Sequence, residues 1–149
     1  MIEQTYQQHL RIALSRIPGV RIWRQPAGRV RTDRGTQVEC APVGAADLTG
    51  IVGPEGWRLE LEVKGADTKT TIEQTHWGEV LTAMGAIYLL LRYDAEETLE
   101  ANLVRAVEEL TAAIEWRRAS SRVAGLEACL AASVHENTLL RAGVTGGQR

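Results

Sequence analysis

The sequence predicts an α/β fold: a helix, a mixed β-sheet of four to five strands, a second helix, a further strand and a C-terminal helical extension. Three observations predict it. Apolar residues recur at helical spacing from Ile2 to Ile17. The stretches 20–24, 47–52 and 58–64 read as strands, with period-two alternation plainest in the first and last. From Ala95 onward the chain has helical patterning almost throughout.

In chain order, Ile2, Tyr6, Leu10, Ala13, Leu14 and Ile17 form one face of the first helix, which Pro18-Gly19 stops. Val20 to Arg24 alternates as a strand, and Gln25-Pro26-Ala27-Gly28 breaks it. Arg29 to Cys40 reads as a polar hairpin turning at Asp33-Arg34-Gly35. The small residues of Pro42-Val43-Gly44-Ala45-Ala46 let the backbone come close to a ligand or another chain, or simply give a flexible loop. A strand over 47–52 then turns through Gly53-Pro54-Glu55-Gly56 into Trp57 to Lys64. Thr71 is the expected N-cap of a helix running to Met84, with Gly85 as its stop. Ala86 to Leu91 is a continuous apolar run, expected as a buried strand. In the extension, Leu99, Leu103, Val107, Leu110 and Ile114 make one stripe, Ser120-Ser121 an expected break, and Val123 to Leu140 a further helix. The expected organisation is one domain overall: a core over 1–92, a helical extension over 93–142 packed on the core or a partner, and a flexible tail from 143.

The strand 58–64 carries the chemistry. Side chains alternate across a strand, so Leu59, Leu61 and Val63 face one way while Glu60, Glu62 and Lys64 face the other. Closing the hairpin back onto 47–52 brings Asp47 beside Glu62. An Asp, a Glu and a Lys can then hold a hard divalent cation and a water near one point.

A chain of 149 residues with ordinary apolar and charged fractions is enough for one domain with a proper core. No apolar run approaches the roughly 20 residues of a membrane span. Met1 to Thr5 lacks the basic start and apolar run of a signal peptide, so a cytoplasmic location is expected. Cys40 and Cys129 lack ligand or disulfide spacing and read as packing residues. Net charge is −2, yet Arg11, Arg16, Arg21, Arg24, Arg29, Arg31 and Arg34 face only Asp33 across that segment. A basic front end of this kind can grip phosphates, or can be a set of solvated arginines. His9, His76 and His135 are isolated and receive no role.

Gly44-Ala45-Ala46-Asp47, then Glu62-Val63-Lys64, then Gln74 on the following helix, resembles the PD-(D/E)xK nuclease superfamily. The chain is most similar to its VRR-NUC branch, where a helix-borne Glu comes first and a strand ending in Arg and a Gly-containing loop follows; here these are Glu3 and Trp23-Arg24-Gln25-Pro26-Ala27-Gly28-Arg29. The resemblance covers about residues 1–92. It departs from the family pattern at Glu60, a second acid on the motif's face of the strand.

The resemblance implies a restriction-endonuclease-like core and metal-dependent hydrolysis of phosphodiester bonds in DNA, including structured or branched DNA such as four-way junctions, by a phage or bacterial enzyme. It implies Mg²⁺ or Mn²⁺ held by Asp47, Glu62, the backbone of Val63 and Glu3, with Asp47, Glu62, Lys64 and Gln74 catalytic. Lys64 would orient water or offset charge at phosphorus, and Gln74 would position Lys64 or a phosphate oxygen. Arg24, Gln25, Arg29, Arg31 and Lys69 would contact nucleic acid, and a homodimer would match the two-fold symmetry of a junction. Each residue has an ordinary alternative: a turn Asp, a surface ion pair, a helix-dipole Glu. Two other functions stay open, a nucleic-acid-binding protein without cleavage and a phage structural or packaging component that works through its helices.

Overall fold

The computed structural model describes residues 2–25 and 28–145, with side chains at 4–25, 31–38 and 40–134. The elements are α1 (Ile2–Leu14), β1 (Val20–Arg24), β2 (Gly28–Arg31), β3 (Gln37–Ala41), β4 (Leu48–Val52), β5 (Trp57–Lys64), α2 (Ile72–Ala83), β6 (Ile87–Arg92) and α3 (Leu99–Thr145). The fold is α/β, as predicted. One four-stranded mixed sheet has the order β1-β4-β5-β6, and β2 and β3 form a separate two-stranded sheet. Pairing is antiparallel for β1–β4 and β4–β5 and parallel for β5–β6. Parallel neighbours need a crossover, and α2 supplies it.

The sheet's two faces differ in chemistry. Val20, Ile22, Leu48, Val52, Leu59, Leu61 and Val63 are buried, as are Tyr6, Leu10 and Leu14 of α1. Each such Leu contributes about 1.5–3 kcal/mol relative to an exposed position. The other face carries Glu60, Glu62 and Lys64, and these are buried too, under α2. The sequence sorts the strand's two faces correctly but does not show that a helix covers the charged one. Gly78 permits the close approach: a Cβ there would sit 2.6 Å from the Tyr88 ring.

Elsewhere the structure corrects the expectation. The apolar run ending at Leu91 is not a buried strand, because β6 lies at the sheet edge; Ile87 and Leu91 are buried but Leu90 is 40% exposed. No break forms at Ser120-Ser121: α3 is one helix of 47 residues to Thr145, past the expected end at Leu140 and the expected fraying from Gly143. Serine lowers helix propensity only modestly, and the residues around this pair are good helix formers. Residues 146–149 of the expected flexible tail lie outside the described residues. Cys40 and Cys129 are both exposed and free rather than packed.

Contacts divide the chain into two compact units, Met1–Ala113 and Ile114–Arg149. In the first, the start of α3 is built around buried Asn102, whose Oδ1 accepts the Asp94 N–H at 2.7 Å and whose Nδ2 donates to the Asp94 and Thr98 carbonyls. Ala106 and Leu110 continue that buried stripe. Among the described residues the second unit is the remainder of α3, and Trp116, Val123, Leu126, Leu130 and Val134 are all more than half exposed on it. No helix among the described residues is long and apolar enough to cross a membrane.

Candidate active site

The β4–β5 register pairs Leu48 with Leu61 and Thr49 with Glu60, so one step further Asp47 stands opposite Glu62. The hairpin therefore does what its sequence predicts. Asp47 Oδ2 accepts the Val63 N–H at 2.9 Å, which fixes the carboxylate at the end of β5. On the strand itself, Lys64 Nζ lies 2.8 Å from Glu62 Oε1, and neither side chain is more than 8% exposed. This is a buried ion pair, not the surface pair that remained open from sequence. Gln74 Nε2 donates to the same Glu62 oxygen.

Local helix chemistry places Gln74. Thr71 caps α2 by accepting the Gln74 N–H at 3.2 Å, while Gln74 Oε1 accepts the Thr71 N–H at 3.0 Å, a reciprocal capping box. The Gln74 amide oxygen is thus held by the helix start and its nitrogen is aimed at Glu62. The sequence expectation had Gln74 positioning Lys64 or a phosphate; its contact is with Glu62 instead.

Glu60 belongs to a different cluster. Its Oε1 accepts from Arg58 Nε at 2.9 Å and from Thr49 Oγ1 at 3.2 Å, and its Oε2 accepts Trp77 Nε1–H at 2.6 Å. With both oxygens engaged, this second acid ties β4, β5 and α2 together. The sequence does not show the bond between Trp77 and Glu60, because that contact crosses from α2 to the sheet.

Tyr88 also went unnoticed in the apolar run. It lies opposite Glu60 in the β5–β6 register, and its hydroxyl is 3.5 Å from the Gln74 carbonyl. Burial first, then Glu62, Glu60 and Asp47, push its phenol up from 10.0 to about 12. Burial likewise raises Tyr6 to about 12. A raised phenol keeps its proton in the folded state where the unfolded chain would lose it. The associated stability is intact below pH 10 and is lost as pH rises toward about 12. An ultraviolet titration is expected to show these two tyrosinates forming only near pH 12, and Tyr88→Phe to remove one late step. Tyrosinate formation complete by pH 11 in the folded protein would contradict this placement.

The remaining expected residues are dispersed. Gln25 donates its N–H to the Asp47 carbonyl at 3.0 Å and so sits beside the acid. It shares a recess of about 340 Å³ with half-exposed Trp23, Thr49 and Arg58, on the part of this face that also leaves Ile51 exposed. Arg24 points to the opposite face, where it lines a pocket of about 390 Å³ with Gln4, Gln7, Gln8, Arg11 and Leu48. Arg31 is exposed on the β2–β3 sheet, and Lys69 is exposed in the loop after β5. Arg92 Nη1 donates to Gly65 O at 3.1 Å and Thr68 O at 2.7 Å, holding that loop; sequence reasoning assigned it no role. The side chains of Glu3 and Arg29 lie outside the described residues.

Among the described residues, no three His, Cys, Asp or Glu side chains form a metal-binding group. Asp47 and Glu62 supply two carboxylates, a donor set that fits Mg²⁺ or Mn²⁺, which use few protein oxygens and retain water, better than an all-protein cage for Ca²⁺ or Zn²⁺. The fold and the cluster define an α/β protein with an Asp-Glu-Lys-Gln constellation, its Glu and Lys buried and its Asp and Gln partly so, at the end of its central hairpin. No family model matches the chain, and no curated protein matches it.

Proposed function

We propose that this chain is a metal-dependent endonuclease with a restriction-endonuclease-like core, related to the VRR-NUC branch of the PD-(D/E)xK superfamily, and that it hydrolyses DNA, including branched DNA. The observation that carries the reading is the juxtaposition of Asp47 with the β5 end, its carboxylate bonded to the Val63 N–H at 2.9 Å beside the Glu62–Lys64 pair. A divalent cation, when bound by Asp47 and Glu62, offsets the phosphodiester's negative charge and supplies an activated water. Gln74 orients Glu62 through its amide, and Lys64 provides positive charge at the same carboxylate. The open recess of Trp23, Gln25 and Arg58 next to Asp47 offers a stacking ring and a guanidinium to the nucleic acid. A homodimer would present two such sites to a two-fold junction.

The full burial of Glu62 favours a second reading, a DNA-binding module that keeps the fold without cleaving. The test incubates the protein with linear, flapped and four-way-junction DNA in Mg²⁺, Mn²⁺ or EDTA. Metal-dependent cleavage is expected, falling about 100-fold or more in Asp47→Asn and Glu62→Gln variants that retain the wild-type circular dichroism. Binding without cleavage under either metal would favour the second reading. Neither binding nor cleavage would sink both.

A further inference from the structure

We infer that the distal part of α3 is the interface of a parallel, in-register two-stranded coiled coil with a second copy of this chain. The inference specifies the dimer named above; it does not depend on DNA cleavage. Four observations carry it. First, α3 is a single helix of 47 residues, far longer than an ordinary globular helix, and it is not a membrane span. Second, Trp116, Val123, Leu126, Leu130 and Val134 are all more than half exposed. At helical spacing these five fall within about 80° of the helix circumference. Apolar residues so aligned on a water-exposed helix stabilise it only when something covers them.

Third, the spacing is a heptad. Trp116, Val123 and Leu130 recur every seventh position and take the a sites, while Ala119, Leu126 and Ser133 take d. Val134 flanks the seam at e. Fourth, the flanking charges identify the occupant. Arg122 falls at g and Glu127 at the e site of the next heptad. In a parallel in-register dimer, g of one helix lies beside the following e of its partner, so Arg122 would meet the second copy's Glu127, twice by symmetry. Neither charge has an opposite charge three or four positions away on its own helix, and five positions apart they lie on different faces of it. The pair is therefore complementary between copies and not within one. Small or polar Ala119 and Ser133 at d make a thin seam, so association around micromolar is expected rather than nanomolar.

Sedimentation equilibrium of the full chain over about 1–100 µM is expected to show the monomer mass of 16.4 kDa passing to twice that value. Leu130→Glu is expected to stay monomeric across that range with unchanged β-sheet circular dichroism. Arg122→Glu should weaken association about fivefold, and adding Glu127→Arg should restore it. For orientation, Ser133→Cys is placed in a Cys40→Ser, Cys129→Ser background and mildly oxidised. A d-site cysteine in a parallel dimer faces its own copy, so rapid disulfide formation is expected. A monomer at all concentrations, a trimer, or a dimer that Leu130→Glu leaves intact would each overturn the inference. A dimer in which Ser133→Cys fails to cross-link, or whose charge reversal at Arg122 is not rescued, would overturn the parallel register.

Discussion

Replacing Lys64 with alanine is expected to destabilise the protein by about 3–5 kcal/mol, read as a lower urea midpoint at unchanged slope. The reason lies in burial: Lys64 Nζ is 2.8 Å from Glu62, and the two side chains are 8% and 1% exposed. Removing the ammonium leaves a carboxylate in the interior with one of its charge partners gone, which costs far more than the pair contributes. Neutralising both ends tests this directly. Glu62→Gln with Lys64→Met removes the uncompensated charge and keeps an acceptor for the Gln74 amide. That double variant is expected to recover stability to within about 1–2 kcal/mol of wild type. On the nuclease reading it remains inactive, since it lacks both the ligand and the cation. A single Lys64→Ala variant as stable as wild type would show the pair to be solvated and the site more open than described. A loss of cleavage in Lys64→Ala alone would prove little, because the variant can lose activity by unfolding.

Gly44→Ala is expected to cost about 2–4 kcal/mol and, on the nuclease reading, to lower cleavage more than its distance in sequence from Glu62 suggests. Gly44 has φ +88, which an L side chain adopts only with strain, and a Cβ there would lie 2.5 Å from the Glu73 carbonyl oxygen. Glu73 is in the first turn of α2, between the Thr71 cap and Gln74. Relieving the clash must therefore shift either the loop that leads to Asp47 or the helix start that aims Gln74 at Glu62. Gly56→Ala is the matched comparison: its φ of +75 is strained, but a Cβ would meet nothing within 4 Å. The difference between the two variants in thermal denaturation isolates the close approach from the backbone strain. Equal losses would show that the Gly44–Glu73 contact yields freely.

The pattern of side chains made much of the site legible. Alternation from Leu59 to Lys64 assigned each side chain to its face, and the Gly53-Pro54-Glu55-Gly56 turn fixed the register that sets Asp47 opposite Glu62. The Thr71 cap announced α2, but that Gln74 closes a capping box with it emerged only in the structure. The failures have physical causes. Apolar continuity in Ile87 to Leu91 signals a strand but not its place in the sheet, and an edge place leaves Leu90 exposed. Ser120-Ser121 has turn-like composition, but a break requires a competing conformation that pays better than continued hydrogen bonding, and none is encoded there. The small residues near Gly44 suggested a ligand or another chain close by, whereas the close neighbour is α2 of the same chain.

By itself the sequence determined the order and type of the elements through β6, the hairpin that sets Asp47 opposite Glu62, and the separation of charged from apolar side chains on β5. These are local properties, fixed by periodicities of two and 3.6 residues and by turn chemistry over a few positions. Only the tertiary structure decided that the charged face is covered, that Glu60 is tied to Arg58, Thr49 and Trp77 while Glu62 meets Lys64 and Gln74, and that Arg24 looks away from both. Two acids two residues apart on one strand look equivalent in sequence. What separates them is the helix laid across the strand, whose side chains at Gln74 and Trp77 each select a different carboxylate.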